Sequence, residues 1–219
     1  MGNKINRFSK IIKEEGFLSF LLKALRYFNK NIFGISKLVI FEFDLEQSVP
    51  RVVSDFPLSF RMALGKDIDL MDEEHYDYDQ YAKQYSKNRL IKGDRCVLAI
   101  YNGTVIGYGW AMKDYMELSQ YNYIRLCKNK VYFYRCFVRK EYRGNKIERA
   151  IYNYLADMLK KEGKRFVLLT VDTSNKSALK TKEKDKKNII GYIIHFNFFG
   201  LHYDYVKKKV LQYLQNSEN

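Results

Sequence analysis

Apolar positions along the chain recur in two rhythms. Between residues 8 and 33, Leu18, Leu21, Leu22, Leu25 and Phe28 return at three- and four-residue steps with Lys23, Arg26 and Lys30 between them, the pattern of an amphipathic helix. Residues 37–45 (KLVIFEFDL) and 56–64 are rich in β-branched and aromatic side chains and read as strands. Residues 66–91 read as two short helices. The stretch 95–101 (RCVLAIY) runs into Asn102-Gly103, a favoured tight-turn pair, and 104–113 (TVIGYGWAMK) returns from it as a hairpin. A Tyr-rich loop follows, then a strand over 131–139 (VYFYRCFVR). Residues 144–162 read as a helix with Ile147, Ala150, Ile151, Tyr154, Leu155, Met158 and Leu159 on one face and Gly163 as its cap. The short apolar run 165–171 (RFVLLTV) suits a buried, parallel strand. A polar, Lys-rich segment occupies 172–187, strands at 189–199 and 201–206 flank Gly200, and a short basic helix follows.

This order predicts a mixed α/β domain with one central strand–helix–strand unit. Residues 1–45, the basic helix and a leading strand, are the candidate N-terminal unit, and 46–219 the main domain. The 219 residues are 47% hydrophobic and 29% charged, enough apolar material for one sizeable core and too much for wholesale disorder. No apolar run reaches the roughly 18 residues that span a bilayer, and no signal-peptide core with a cleavage site opens the chain, so the default compartment is cytoplasmic.

Charge narrows the partners. The net charge of +14 suits polyanions: nucleic acid, anionic lipid or a phosphorylated cofactor. An AT-biased coding sequence, with abundant Lys, Asn, Tyr, Ile and Phe, accounts for such an excess equally well, so a functional basic patch must be shown by location. Residues 1–40 hold eight basic and two acidic side chains, so the leading helix can lie on an anionic membrane surface or pack its apolar stripe on the domain behind it. Against the basic background, residues 67–79 hold seven acids. Such a run attracts a cationic acceptor; it is also what an ordinary solvated helix face looks like.

Three widely spaced cysteines (Cys96, Cys127, Cys136) and three histidines (His75, His195, His202) leave no zinc pattern, disulfide framework or evident triad, and no metal site is expected. No Gly-x-Ser-x-Gly elbow or Gly-Lys-Ser/Thr phosphate loop occurs.

The junction at 138–147 (VRKEYRGNKI) carries the most chemistry. A strand ends, a Gly-containing turn follows, and a helix begins. Free amides at a helix N-terminus, with Arg143, Lys146 and Arg149 nearby, make an anion site. The segment 137–150 (FVRKEYRGNKIERA), with the preceding hairpin and an Asn just past the next strand, resembles the acetyl-CoA signature of the GNAT N-acetyltransferase superfamily over roughly residues 56–206. That resemblance implies a GNAT-like mixed sheet, acetyl-CoA as co-substrate and a small amine acceptor, for which an aminosugar is a candidate. Arg143 matches the motif's leading basic residue, and Gly144 and Asn145 its two free positions. Cys136, Phe137 and Val138 match the strand whose backbone faces pantetheine, in the slot where that strand splays from the next. Asn175 matches the downstream Asn that contacts the cofactor arm.

The chain also departs from the family. Lys146 and Glu148 stand at the turn's two small positions. Lys146 can supply a counter-charge, whereas Glu148 brings negative charge toward a diphosphate. Lys182 stands where the family often has a Tyr acting as general acid, and Lys186-Lys187 where it has Gly-Phe, while Gly191 keeps its place. For direct attack of an amine on a thioester, a base must take a proton. Glu117, in the loop after the hairpin, is one candidate; His75 and Tyr134 are others, and each also reads as a plain loop acid, surface His or sheet Tyr. The departures support an alternative, a catalytically degenerate GNAT-fold binding or scaffold protein. A third reading, a nucleic-acid or membrane-surface protein, rests on the charge and the 19 tyrosines, but no RNA-recognition motif is legible.

Overall fold

The structure, a computed structural model, describes residues 33–47, 53–70, 80–119, 122–184, 188–199 and 201–216. The predicted helix over 8–33 lies outside them apart from Phe33, which opens a strand. In chain order the elements are β1 (Phe33–Asp44), β2 (Ser59–Met62), α1 (Gly65–Leu70), α2 (Gln80–Ile91), β3 (Arg95–Tyr101), β4 (Thr104–Met112), β5 (Tyr115–Glu117), β6 (Tyr123–Arg125) and β7 (Lys130–Val138). A single 3-10 turn (Lys140–Tyr142) leads to α3 (Ile147–Lys161), followed by β8 (Phe166–Asp172), α4 (Lys176–Lys184), β9 (Asn188–Phe198), β10 (Leu201–Val206) and α5 (Lys208–Gln215).

Eight strands make one sheet in the order β10-β9-β1-β8-β7-β4-β3-β2, and β5-β6 form a separate small hairpin. Neighbours pair antiparallel except β7 and β8, the predicted strand–helix–strand unit, which pair parallel. The leading strand, grouped at sequence level with residues 1–45, is an interior strand: β1 pairs with β8 on one side and β9 on the other. Its run Val39, Ile40, Phe41 is buried on both faces, as an interior strand requires. The sheet thus draws on residues from both sides of position 45. The β5–β6 hairpin was not expected; it forms inside the Tyr-rich loop.

Two layers of side chains flank the sheet. On one face Val39, Phe41, Val97, Val167 and Leu169 pack beneath the apolar stripe of α3. On the other, Ile40, Met112, Tyr132, Leu168 and Ile193 meet Leu214 of α5, and Leu98, Tyr108 and Trp110 meet Ile68 of α1. Gly109 sets how closely α3 approaches: a Cβ there would stand 2.6 Å from the Ile151 side chain. The close seat of α3 on β4 fixes where its N-terminus emerges, and so fixes the site.

Candidate functional site

A register defect in β7 opens the site. Trp110 pairs with Arg135 and Ala111 with Phe133, so Tyr134 is an extra residue, a β-bulge. The parallel ladder with β8 ends there, its last pair being Phe133 and Leu169. Beyond the bulge β7 keeps β4 on one side, and its other edge faces a cleft. This is the splay expected between the two strands.

The cleft has a volume of about 770 Å³ and lies between the end of β7, the turn into α3, and α4. It is lined by Cys136, Phe137, Val138, Arg143, Gly144 and Lys146, with Glu148, Asn175 and Lys182 on its other walls. Of the expected cofactor residues only Asn145 is not part of the lining. Its side chain instead ties the turn together, donating to the carbonyls of Tyr142 (3.0 Å) and Arg143 (3.2 Å).

The turn is shaped for anions. Gly144 (φ 86°) and Lys146 (φ 61°) both take left-handed backbone conformations, and the amide of Ala150 makes the first helical bond, to the Lys146 carbonyl. The amides of Ile147, Glu148 and Arg149 precede that bond and form the positive end of a 15-residue helix. Arg143 folds back so that Nε donates to the Val138 carbonyl at 3.0 Å, which holds its guanidinium beside the end of β7.

The departures from the family pattern are paired in space. Lys146 reaches Asp55 at 2.9 Å, in a segment that crosses the turn and whose Ser54 hydroxyl donates to the Asn145 carbonyl. Lys182 reaches Glu148 at 3.1 Å and lies over the Tyr152 ring. Lys182 is buried while Glu148 is half exposed, so the charge in the cleft wall is compensated from within it. The Cys136 thiol shares this corner: burial pushes its pKa up, with the Glu148 charge adding and Lys182 and Tyr152 opposing, so the thiol is protonated at neutral pH. Asn175 uses its carbonyl oxygen to cap α4, accepting from the Ala178 amide at 3.1 Å.

The expected catalytic residues lie on the opposite face. Tyr134, at the bulge, donates its hydroxyl to Asp94 Oδ2 at 3.1 Å, and Arg89 Nε reaches the same oxygen at 2.6 Å. Burial, then the Asp94 charge, raise the Tyr134 pKa, so this hydroxyl stays protonated. Glu117 ends β5 near Arg89, Arg135 and Asp94; burial outweighs the two cations and raises its carboxyl pKa, strengthening it as a proton acceptor. His75 lies outside the described residues, as do Asp72, Glu73, Glu74, Asp77 and Asp79 of the acidic run. Of that run's described members, Asp67 is a buried structural acid. It takes two bonds from Arg61 (2.7 and 2.8 Å) and accepts the Leu64 amide, closing a cap on α1.

One constellation was missed. Asp204 accepts from Ser119 (2.5 Å) and Asn122 (2.6 Å) and holds His195 Nδ1 at 2.5 Å. Burial pushes its pKa up, but these three partners outweigh burial and keep the carboxyl below its usual range. The signal was available: Phe198 pairs with Leu201 across a two-residue connection, and that register puts His195 directly opposite Asp204.

Residues 64–185 match the family model described as acetyltransferase (GNAT) family. The chain belongs to the GNAT acetyltransferase family. Solved structures agree on the fold. A GCN5-related N-acetyltransferase from Sphaerobacter thermophilus superposes with a TM-score of 0.54 at 17% identity, covering 80% of this chain and 56% of its own. A functionally unknown conserved protein from Staphylococcus epidermidis gives 0.53 at 15% identity, covering 80% and 65%. A tandem GNAT protein from the clavulanic acid biosynthesis pathway gives 0.50 at 16%, covering 71% and 50%. The chain therefore spans between half and two thirds of the length of these structures. No curated protein sequence matches it. Within this GNAT domain the family match takes in the bulged strand, the anion turn and α3.

Proposed function

We propose that this GNAT protein is an acetyl-CoA-dependent N-acetyltransferase acting on a small cationic amine, with an aminosugar the first acceptor to try. The observation that carries the reading is the cleft. The bulge at Tyr134 frees one edge of β7 just where a helix N-terminus and Arg143 converge. A pyrophosphate group fits the amides of Ile147 and Glu148, with Arg143 and Lys146 as counter-charges. The cleft-facing edge of β7 from Cys136 to Val138, where Arg143 already holds the Val138 carbonyl, offers its remaining backbone groups to an extended amide-bearing arm.

Acetyl-CoA brings an activated thioester; the chain supplies position and proton transfer. An amine must be neutral to attack, and Glu117, its pKa raised by burial, is the proposed proton acceptor. Tyr134 holds the wall between cleft and acceptor side in place through Asp94. Lys182, buried in the cleft wall and paired with Glu148, adds positive charge on the α4 side of the cleft.

The test is calorimetry with acetyl-CoA on the full chain and on Arg143→Glu. Wild-type binding that weakens more than tenfold in the variant supports the site, a loss of at least about 1.4 kcal/mol. Equal affinity would mean that the turn is not the pyrophosphate site. A second reading, a binding protein without catalysis, is favoured by Glu148 beside the diphosphate position. Acetyl-CoA binding without thiol release to any of a panel of polyamines and aminosugars would select it.

A further inference from the structure

The two strands that border the cofactor cleft part at a vertex walled on both faces of the sheet. Phe133 and Leu169 are the last paired residues of β7 and β8. On the face toward α5, the Tyr132 side chain does not end beside its own partner, Leu168. Its hydroxyl reaches Thr170 Oγ1, 2.7 Å away and one residue past the last pair. The ring thus lies across the vertex, and the Tyr134 ring is stacked on it, with centroids 6.1 Å apart. On the face toward α3, the Phe133 ring is stacked on Tyr152 with centroids 5.3 Å apart, and Tyr152 is hydrogen-bonded to the Cys136 thiol. Tyr132 and Phe133 are 5% and 2% exposed, so neither ring has solvent to retreat into.

These walls stand where a thioester would arrive. A pyrophosphate at the start of α3 leaves its arm to run inward along β7, whose edge is open to the cleft only between Val138 and the bulge at Tyr134. A pantetheine arm is about as long as four extended residues, about 13 Å. Its thioester therefore comes to rest at Arg135 and Tyr134, the last residues before the strands join. The cleft is already closing there, with Cys136 its innermost lining residue on β7. A methyl group asks for little space beyond the thioester carbon. A longer chain has to displace Tyr132, Phe133 or Tyr134 from packed positions, and forcing extra methylenes into a packed core is unfavourable.

We infer that Tyr132, held across the vertex by Thr170 and backed by Tyr134, determines acyl-chain length: it admits acetyl and excludes medium chains such as hexanoyl. The inference rests on the acyl-CoA reading of the cleft. The test is calorimetry on the full chain with coenzyme A, acetyl-CoA and hexanoyl-CoA. The expected result is comparable binding of coenzyme A and acetyl-CoA, with hexanoyl-CoA about tenfold weaker or more. Tyr132→Leu keeps an apolar side chain in the core and removes the part of the ring that reaches Thr170. It should bring hexanoyl-CoA to within about threefold of acetyl-CoA. Thr170→Ala, at a half-buried position, releases the same ring without touching the core and should narrow the gap in the same direction by a smaller step. Its reading does not depend on the Tyr132 variant folding. Equal wild-type affinity for the two acyl-CoAs, with coenzyme A bound, would overturn the length limit and leave the cleft standing. A gap that neither variant narrows would overturn the role of Tyr132. Binding of none of the three would overturn the reading of the cleft, and this inference with it.

Discussion

The cofactor cleft and the polar face behind it are assembled in different ways. The cleft's floor is nearly continuous in sequence, from Cys136 to Glu148, with Asn175 at the cap of α4 and Lys182 within that helix added from beyond it. The polar face gathers Arg89 and Asp94 from around the end of α2, Glu117 from β5 and Tyr134 from the bulge, and farther along the sheet Ser119 and Asn122 meet Asp204 and His195. Local chain geometry builds the first, and long-range packing builds the second. Damage to the first should therefore cost binding, and damage to the second should cost the fold.

The sharpest way to break that contrast is Asp94→Ala. Asp94 and Arg89 are both nearly fully buried, and the substitution leaves a buried guanidinium and the Tyr134 hydroxyl without their acceptor. Losing one partner of a buried pair costs about 3 kcal/mol or more. For a domain of this size the melting temperature should fall by roughly 6–12 °C. Arg143→Glu, at an exposed position in the turn, should move the melting temperature by under about 2 °C while abolishing most acetyl-CoA affinity. Similar melting losses in the two variants would show that the turn is as deeply embedded in the fold as the polar face.

Glu148→Gln tests the cleft's own internal charge. Glu148 is half exposed, so its pair with Lys182 is screened and the stability loss should stay near 1 kcal/mol. Acetyl-CoA should bind several-fold more tightly, because a negative charge leaves the diphosphate position while the helix N-terminus remains. Weaker binding by calorimetry would show that Glu148 holds Lys182 where the cofactor needs it.

Stability at low pH separates a third kind of residue, the structural acid. The bonds from Arg61, more than any other partner, hold the Asp67 carboxyl below its ordinary value, against the opposing effect of burial. A depressed carboxyl contributes stability that is present above its unfolded pKa, about 3.9, and lost as pH falls through its lower folded value. Urea melts between pH 5 and 2 should show that loss in the wild type and a flatter profile in Asp67→Asn. Parallel profiles would remove Asp67 from the acid-sensitive set.

What was legible in the sequence follows the same division. The strand–turn–helix at Val138 to Ile147 is readable because every part lies within a few residues; the left-handed backbone at Lys146 appears only in the structure. The bulge at Tyr134 is a property of register between β4 and β7, and no residue type announces it. Nor does the pattern of β1 say that it lies between β8 and β9; its length and two-sided apolar run say only that it is buried. The pairing of Lys146 with Asp55 and of Lys182 with Glu148 joins segments 91 and 34 residues apart. The sequence shows the four charges, and only the packing shows that they answer one another.

The smallest expected effect is the most discriminating. Lys146→Gly removes a side chain from a left-handed position, relieving about 1 kcal/mol of backbone strain. It also removes a half-exposed ion pair with Asp55 worth about 0–1 kcal/mol. The net change in stability should be slightly favourable, a rise of about 1–2 °C in melting temperature. If Lys146 also meets the diphosphate, acetyl-CoA affinity should fall about three- to tenfold in the same variant, so the two readouts move in opposite directions. Lys146→Ala completes the argument. It should lose the same affinity and also lose stability, because Ala keeps a Cβ in the left-handed conformation and gives up the ion pair. Equal melting temperatures for the Gly and Ala variants would show that the turn relaxes out of that conformation once Asp55 releases it. The amides of Ile147 and Glu148 would then be set by the Lys146–Asp55 contact and not by the backbone alone.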